Sequence, residues 1–153
     1  MSSLAHAEAK NGISFDDINF EKSFSSMQVY GQSKLSNILH AKELARRLEN
    51  TGISVYVLHP GVIATELGRH LLEKIPYILK PIFIPILALS RFLIKTPFHG
   101  AQTTLYCTLE DSIENESGKY YSDCKVTKTS TKHAEDMEAA KKLWDLSEKL
   151  VNL

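Results

Sequence analysis

The sequence predicts an α/β fold, and three observations carry that reading. Val29, Leu35, Ile38, Leu39, Leu44, Ala45 and Leu48 recur at three- and four-residue steps, the period of one helix face. Ile53-Ser54-Val55-Tyr56-Val57-Leu58 follows as a short apolar run with β-branched residues, the pattern of a strand buried in a parallel sheet. A second helix then strand recurs between Thr96 and Ser122, so elements of the two kinds alternate along the chain.

At 153 residues the chain fits one domain, and 43% hydrophobic content suits a globular core. Formal net charge is zero, so nothing electrostatic points to nucleic acid. Cys107 and Cys124 match no zinc or redox spacing and read as reduced thiols, with no metal site implied. The first residues lack a secretory-signal pattern, and no internal repeat is present.

Each element has its own local reason. Residues 7–25 are mixed and polar, with Asn11-Gly12 as a turn signal, and read as a loop. The first helix runs from about Ser26 to Asn50, capped by Ser25 or Ser26, with Lys42, Arg46 and Arg47 complementing its dipole. Asn50-Thr51-Gly52 stops it. The strand ends in His59-Pro60-Gly61, a turn at its carboxyl end, where open α/β sheets bind ligands. Residues 66–99 crowd apolar side chains, but Lys80, Arg91, Pro76, Pro81 and Pro85 argue against a membrane span. Two readings remain for them: a flap packed on the core, or a segment lying in a bilayer surface. Thr96-Pro97 opens the second helix, whose buried face reads as Ala101, Thr104, Leu105, Cys107 and Leu109. An acidic connection, Glu110 to Ser117, leads to the strand Lys119-Tyr120-Tyr121-Ser122. Lys125 to His133 reads as polar and exposed, and Glu135 to Val151 as a helix in which Trp144 packs.

The chemistry centres on Tyr30-Gly31-Gln32-Ser33-Lys34. A tyrosine and a lysine four apart on a helix lie one turn apart on one face. A free phenol titrates near pH 10, and an ammonium held beside it favours the phenolate. His59 is a strand-end histidine, more often a packing residue than an acid–base group.

Four blocks in order resemble the short-chain dehydrogenase/reductase family, in its retinol dehydrogenase-like branch. They are Ser2 to His6, Tyr30 to Asn37, His59 to Leu67 and Ser117 to Cys124. The resemblance implies a single partial domain over 1–153. Its fold would be a partial Rossmann-type, doubly wound parallel sheet lacking the N-terminal dinucleotide-binding half, since the seven glycines form no G-x-G-x-x-G. It implies NADP(H), with NAD as the alternative, and a small apolar alcohol or aldehyde such as a retinoid. Tyr30 would exchange the hydroxyl proton, Lys34 would favour its phenolate and hold the nicotinamide ribose, and Ser3 would hold the substrate oxygen. Pro60, Gly61, Val62, Ile63 and Thr65 would join Tyr30 and Lys34 in meeting the cofactor. The cytosolic side of the endoplasmic reticulum membrane is the location implied, with the cytoplasm as alternative, and homo-oligomerisation stays open. The rival reading is a non-catalytic truncated isoform that associates with membrane or with a full-length relative. On either reading the isolated chain is expected to be a poor enzyme.

Overall fold

The computed structural model describes residues 1–63 and 94–152. Thr65 and most of the apolar 66–99 stretch lie outside the described residues.

Helix α1 spans Ser26–Arg47 and is the element on which the others pack. Ser25 holds the N-cap position in extended backbone without a side-chain capping bond. The helix ends at Arg47, before the expected Asn50, because Leu48 closes it and Asn50 and Gly52 turn the chain with φ of 63° and 78°. Leu35, Ile38, Leu39 and Ala41 form its buried stripe and join Val57, Tyr120, Ala134, Ala140 and Leu143 in one core.

The sheet has three short strands in the order β1-β2-β3: Val57–Leu58, Tyr120–Ser122 and Lys125–Val126. Strands β1 and β2 are parallel, with Val57 opposite Tyr120 and Leu58 opposite Tyr121. The expected α/β order is therefore present. Strand β3, which the polar composition of 125–133 does not announce, pairs antiparallel to β2. Its turn places Asp123 and Cys124 at φ of 53° and 57°, the sense of twist that tight hairpins favour. Alternating side chains send Tyr120 to the α1 core and Tyr121 to a second cluster with Leu58 and Ile113.

Helix α2, Pro97–Leu109, starts as expected, with the Thr96 side chain accepting from the His99 N–H. Its buried face differs from the expected one: Gly100 and Thr103 are buried, whereas Ala101, Leu105 and Leu109 are exposed. The close approach of Ile63 to Gly100 decides this. A Cβ at Gly100 would stand 2.3 Å from Ile63 Cδ1, so the glycine side must face inward. Helix α3, Met137–Val151, is capped by Asp136 and lies on α1. Trp144 does pack, stacked on His40 at 4.9 Å and under the Arg47 guanidinium at 4.4 Å.

Residues 7–25 are more ordered than a loop. Two 3-10 helices, Leu4–Glu8 and Phe15–Asp17, flank them or fall within them. Gln32 fastens the second, its Oε1 accepting from Ser14 N–H at 2.7 Å and its Nε2 donating to Ile18 C=O.

Glu43 is buried in α1, and its carboxylate accepts from Arg46 and Arg47 at 2.8–2.9 Å. The Arg46 hydrogen bond, with that of Arg47, outweighs the desolvation penalty and holds its pKa down to about 2. A depressed carboxyl contributes stability above its unfolded value, near 4.3, and loses it as pH falls toward 2. Urea unfolding at pH 6, 4 and 3 should therefore show falling stability. Glu43→Gln should cost about 1.5–3 kcal/mol at pH 6 and flatten that dependence.

Candidate active site

Tyr30 lies in the second turn of α1 with 46% of its surface exposed. Its neighbour one turn on, Lys34, holds Nζ 5.3 Å from the centre of the phenol ring. Helical spacing alone produces this pairing, as the sequence suggests. Neither the Tyr30 hydroxyl nor the Lys34 ammonium has a side-chain partner of opposite character among the described residues. The pair is thus an open phenol with a cation alongside, oriented outward and able to meet a ligand.

The N-terminal segment places this pair against the sheet. Ser2 is buried; its N–H donates to Leu58 C=O at 2.6 Å and its hydroxyl to Lys34 C=O at 2.8 Å. One residue thereby joins the Tyr30–Lys34 turn to the end of β1. Asn37 adds a bond from Nδ2 to Met1 C=O. Ser3, the expected substrate-orienting serine, is ordered and caps the first 3-10 helix by accepting from Ala5 N–H at 3.2 Å. Gly31 permits the close approach of that helix: a Cβ there would stand 2.8 Å from Ala5 O and 2.9 Å from Glu8 Cβ. His6 completes the joint. It is fully buried, accepts from Ser130 N–H at Nε2, and so donates from Nδ1 to Ser3 C=O.

Beyond β1 lies the Pro60-Gly61-Val62-Ile63 turn. Gly61 has φ of 85°, a conformation that glycine adopts without strain. Its N–H donates to Nδ1 of His59, which leaves the ring proton of a neutral His59 on Nε2. The His59 ring stacks on Tyr120 at 5.8 Å. His59 is therefore a packing and turn-holding residue. The Tyr120 hydroxyl is buried without a partner among the described residues, and burial pushes its pKa up to about 12.

Ser2 ties the Lys34 backbone to Leu58 at the end of β1, and Pro60, Gly61, Val62 and Ile63 follow that strand directly. A groove of about 1360 Å³ lies elsewhere, along the last turns of α1 from Lys42 to Asn50 and beneath Thr127 to Lys132. Of the cations that line it, Lys42, Arg46 and Lys119 are paired with Glu135, Glu43 and Glu116, and Lys128 and Lys132 line it as well.

No protein-family model matches the chain. Individual proteins do. It is 47% identical to Retinol dehydrogenase 14 of Homo sapiens, over 92% of this chain and 40% of that protein. It is 40% identical to human Retinol dehydrogenase 12, over 100% and 45%. Identity to Short-chain dehydrogenase TIC 32 A, chloroplastic, of Brassica napus is 41%, over 99% and 45%. The chain is related to the short-chain dehydrogenases/reductases. It spans less than half the length of these dehydrogenases. A crystal structure of an uncharacterised protein from Mycobacterium paratuberculosis shares the fold, with TM-score 0.63 and 27% identity over 99% of this chain and 48% of that one. In this dehydrogenase-related chain, sequence reasoning assigned no role to Ser2, Gln32, Lys95 or Asp123; Ser2, Gln32 and Asp123 lie inside blocks that carry the resemblance, whereas Lys95 lies in none.

Burial is the main cause that lowers the His59 pKa, with Lys95 and His6 adding to it and Asp123 opposing. A histidine with a depressed folded value is stabilising when neutral. That contribution is complete above the unfolded value, near 6.5, and is lost as pH falls through it. NMR titration should give a His59 midpoint below 6.5, and the Gly61 amide should shift with the same midpoint.

Proposed function

We propose that this chain carries the proton-transfer half of a short-chain dehydrogenase site. That site would interconvert retinol and retinal, or similar apolar alcohols and aldehydes, with NADP(H), or NAD(H) as the alternative. The observation that carries the reading is the open Tyr30 phenol with Lys34 Nζ beside its ring, joined through Ser2 to the end of β1. The names of the related proteins support the substrate class.

The residues present fit a nicotinamide cofactor: an ammonium at Lys34 with no carboxylate partner among the described residues, and a glycine turn at Gly61 in the left-handed region. When bound, the cofactor supplies or accepts the hydride. Tyr30 gives its hydroxyl proton to the forming alcohol, or takes one from it in reverse. Lys34 favours the phenolate electrostatically and donates to the ribose. Ser3 holds the substrate oxygen once its hydroxyl turns from Ala5. Val62 and Ile63 offer backbone to the carboxamide, and Thr65 offers a hydroxyl to phosphate. The apolar composition of 66–99 supports contact with an oily substrate and peripheral contact with a membrane surface. Among the described residues no helix is long and apolar enough to cross a membrane.

The test uses a polypeptide that joins this chain to a dinucleotide-binding half, such as that of Retinol dehydrogenase 14. Tyr30→Phe should lower kcat for retinal reduction by about 100- to 10,000-fold and leave the Kd for NADPH nearly unchanged. Lys34→Ala should weaken both. Near-normal turnover by Tyr30→Phe would overturn the assignment. Liposome flotation tests the membrane contact: replacing Ile78, Phe83 and Leu87 by serine should release the protein without lowering its melting temperature.

A further inference from the structure

The turn after β1 is held by residues that the dehydrogenase chemistry does not use. Lys95 stands where the chain re-enters the described structure after 64–93. Its N–H donates to Val62 C=O at 2.8 Å, and Ile63 and Lys95 form an isolated parallel bridge. Its side chain runs across Gly61: a Cβ built on that glycine would lie 3.0 Å from Lys95 Cε and 3.1 Å from Cδ. The ammonium then pairs with the Asp123 carboxylate in the β2–β3 turn. Asp123 also accepts from Ser122 Oγ, and the next residue, Cys124, donates its N–H to Thr103 Oγ1 of α2. On its other side, Gly61 is held by His59 Nδ1.

Three elements thus converge on one glycine: the exit of β1, the approach to α2 and the β2–β3 hairpin. We infer that the Lys95–Asp123 ion pair is a clasp that closes the two stems of the 64–93 segment and holds the Gly61–Ile63 backbone. Lys95 and Asp123 are therefore positioning residues for the cofactor face. The clasp stands on this geometry alone; its role toward the cofactor rests on the dehydrogenase reading above.

The glycine is part of the device. With a side chain at 61, Lys95 could not lie over the turn and reach Asp123 without moving. The lysine stem covers the glycine and its head makes the pair, so each feature explains the other. The lysine side chain is 27% exposed and the aspartate 57%, so the pair is local and screened rather than a core ion pair. Its expected effect is correspondingly local. Removing the charge should let the turn open more often without loosening α1.

Amide hydrogen exchange on the 153-residue chain reads this directly. Lys95→Met keeps the aliphatic cover and removes the charge; Asp123→Asn removes the partner. Each should speed exchange at the Gly61 and Lys95 amides about fivefold, with Leu39 in α1 unchanged. The swap Lys95→Glu with Asp123→Lys should return those amides to within about twofold of the parent. Unchanged exchange in the single variants overturns the clasp, and so does an equal rise at Leu39, which would mark a general loss of stability. NADPH titration of the joined polypeptide separates the two claims. A weaker Kd in both singles, restored by the swap, supports the positioning role, and an unaltered Kd overturns it. If the parent binds no NADPH, the dehydrogenase reading fails while the exchange result still decides the clasp.

Discussion

Ser2 is the joint on which the candidate site depends. A strand and a helix from one α/β unit have no covalent reason to keep a fixed angle at the strand's carboxyl end. Here one hydroxyl and one amide span them, on Lys34 C=O and Leu58 C=O. Side-chain bulk would prevent the same seating, because the first 3-10 helix packs directly on Gly31. These contacts hold the Lys34 turn of α1 against the end of β1. Burial makes the joint costly to break, since Ser2 and His6 would each leave buried polar groups without their partners.

Among the described residues, ion pairs gather on the later half of α1 and none reaches Lys34. Glu43, Arg46 and Arg47 neutralise one another on the far half of α1, and Lys42 is held by Glu135. The Lys34 ammonium, more than two turns nearer the N-terminus, lies beside the Tyr30 ring and has no carboxylate partner among the described residues. A cation already bound to carboxylate would be a weak partner for a phenol or a ribose hydroxyl.

Much of this was legible in the sequence, and the limits have physical causes. The α1 stripe, the Tyr30–Lys34 face and the strand ending at His59-Pro60-Gly61 are local patterns with fixed periods, so they could be read directly. Strand β3 could not, because a two-residue ladder in exposed Lys125 and Val126 leaves no hydrophobic alternation. The inward face of α2 was misread for a related reason. Apolar Ala101, Leu105 and Leu109 have helical spacing, but the close contact of Ile63 with Gly100 turns the small-residue side inward. Gln32 and Ser2 act over long sequence separations, and Lys95 gains its meaning only when Asp123 arrives beside it.

The central claim is that the face formed by Tyr30, Lys34 and the Gly61 turn receives a nicotinamide cofactor. Chemical-shift mapping of the joined polypeptide with NADPH tests it most directly. The account predicts the largest shifts at Tyr30, Lys34, Gly61 and Val62, with the groove along Lys42 to Asn50 unaffected. Shifts concentrated in that groove, with Tyr30 and Gly61 unmoved, would contradict it.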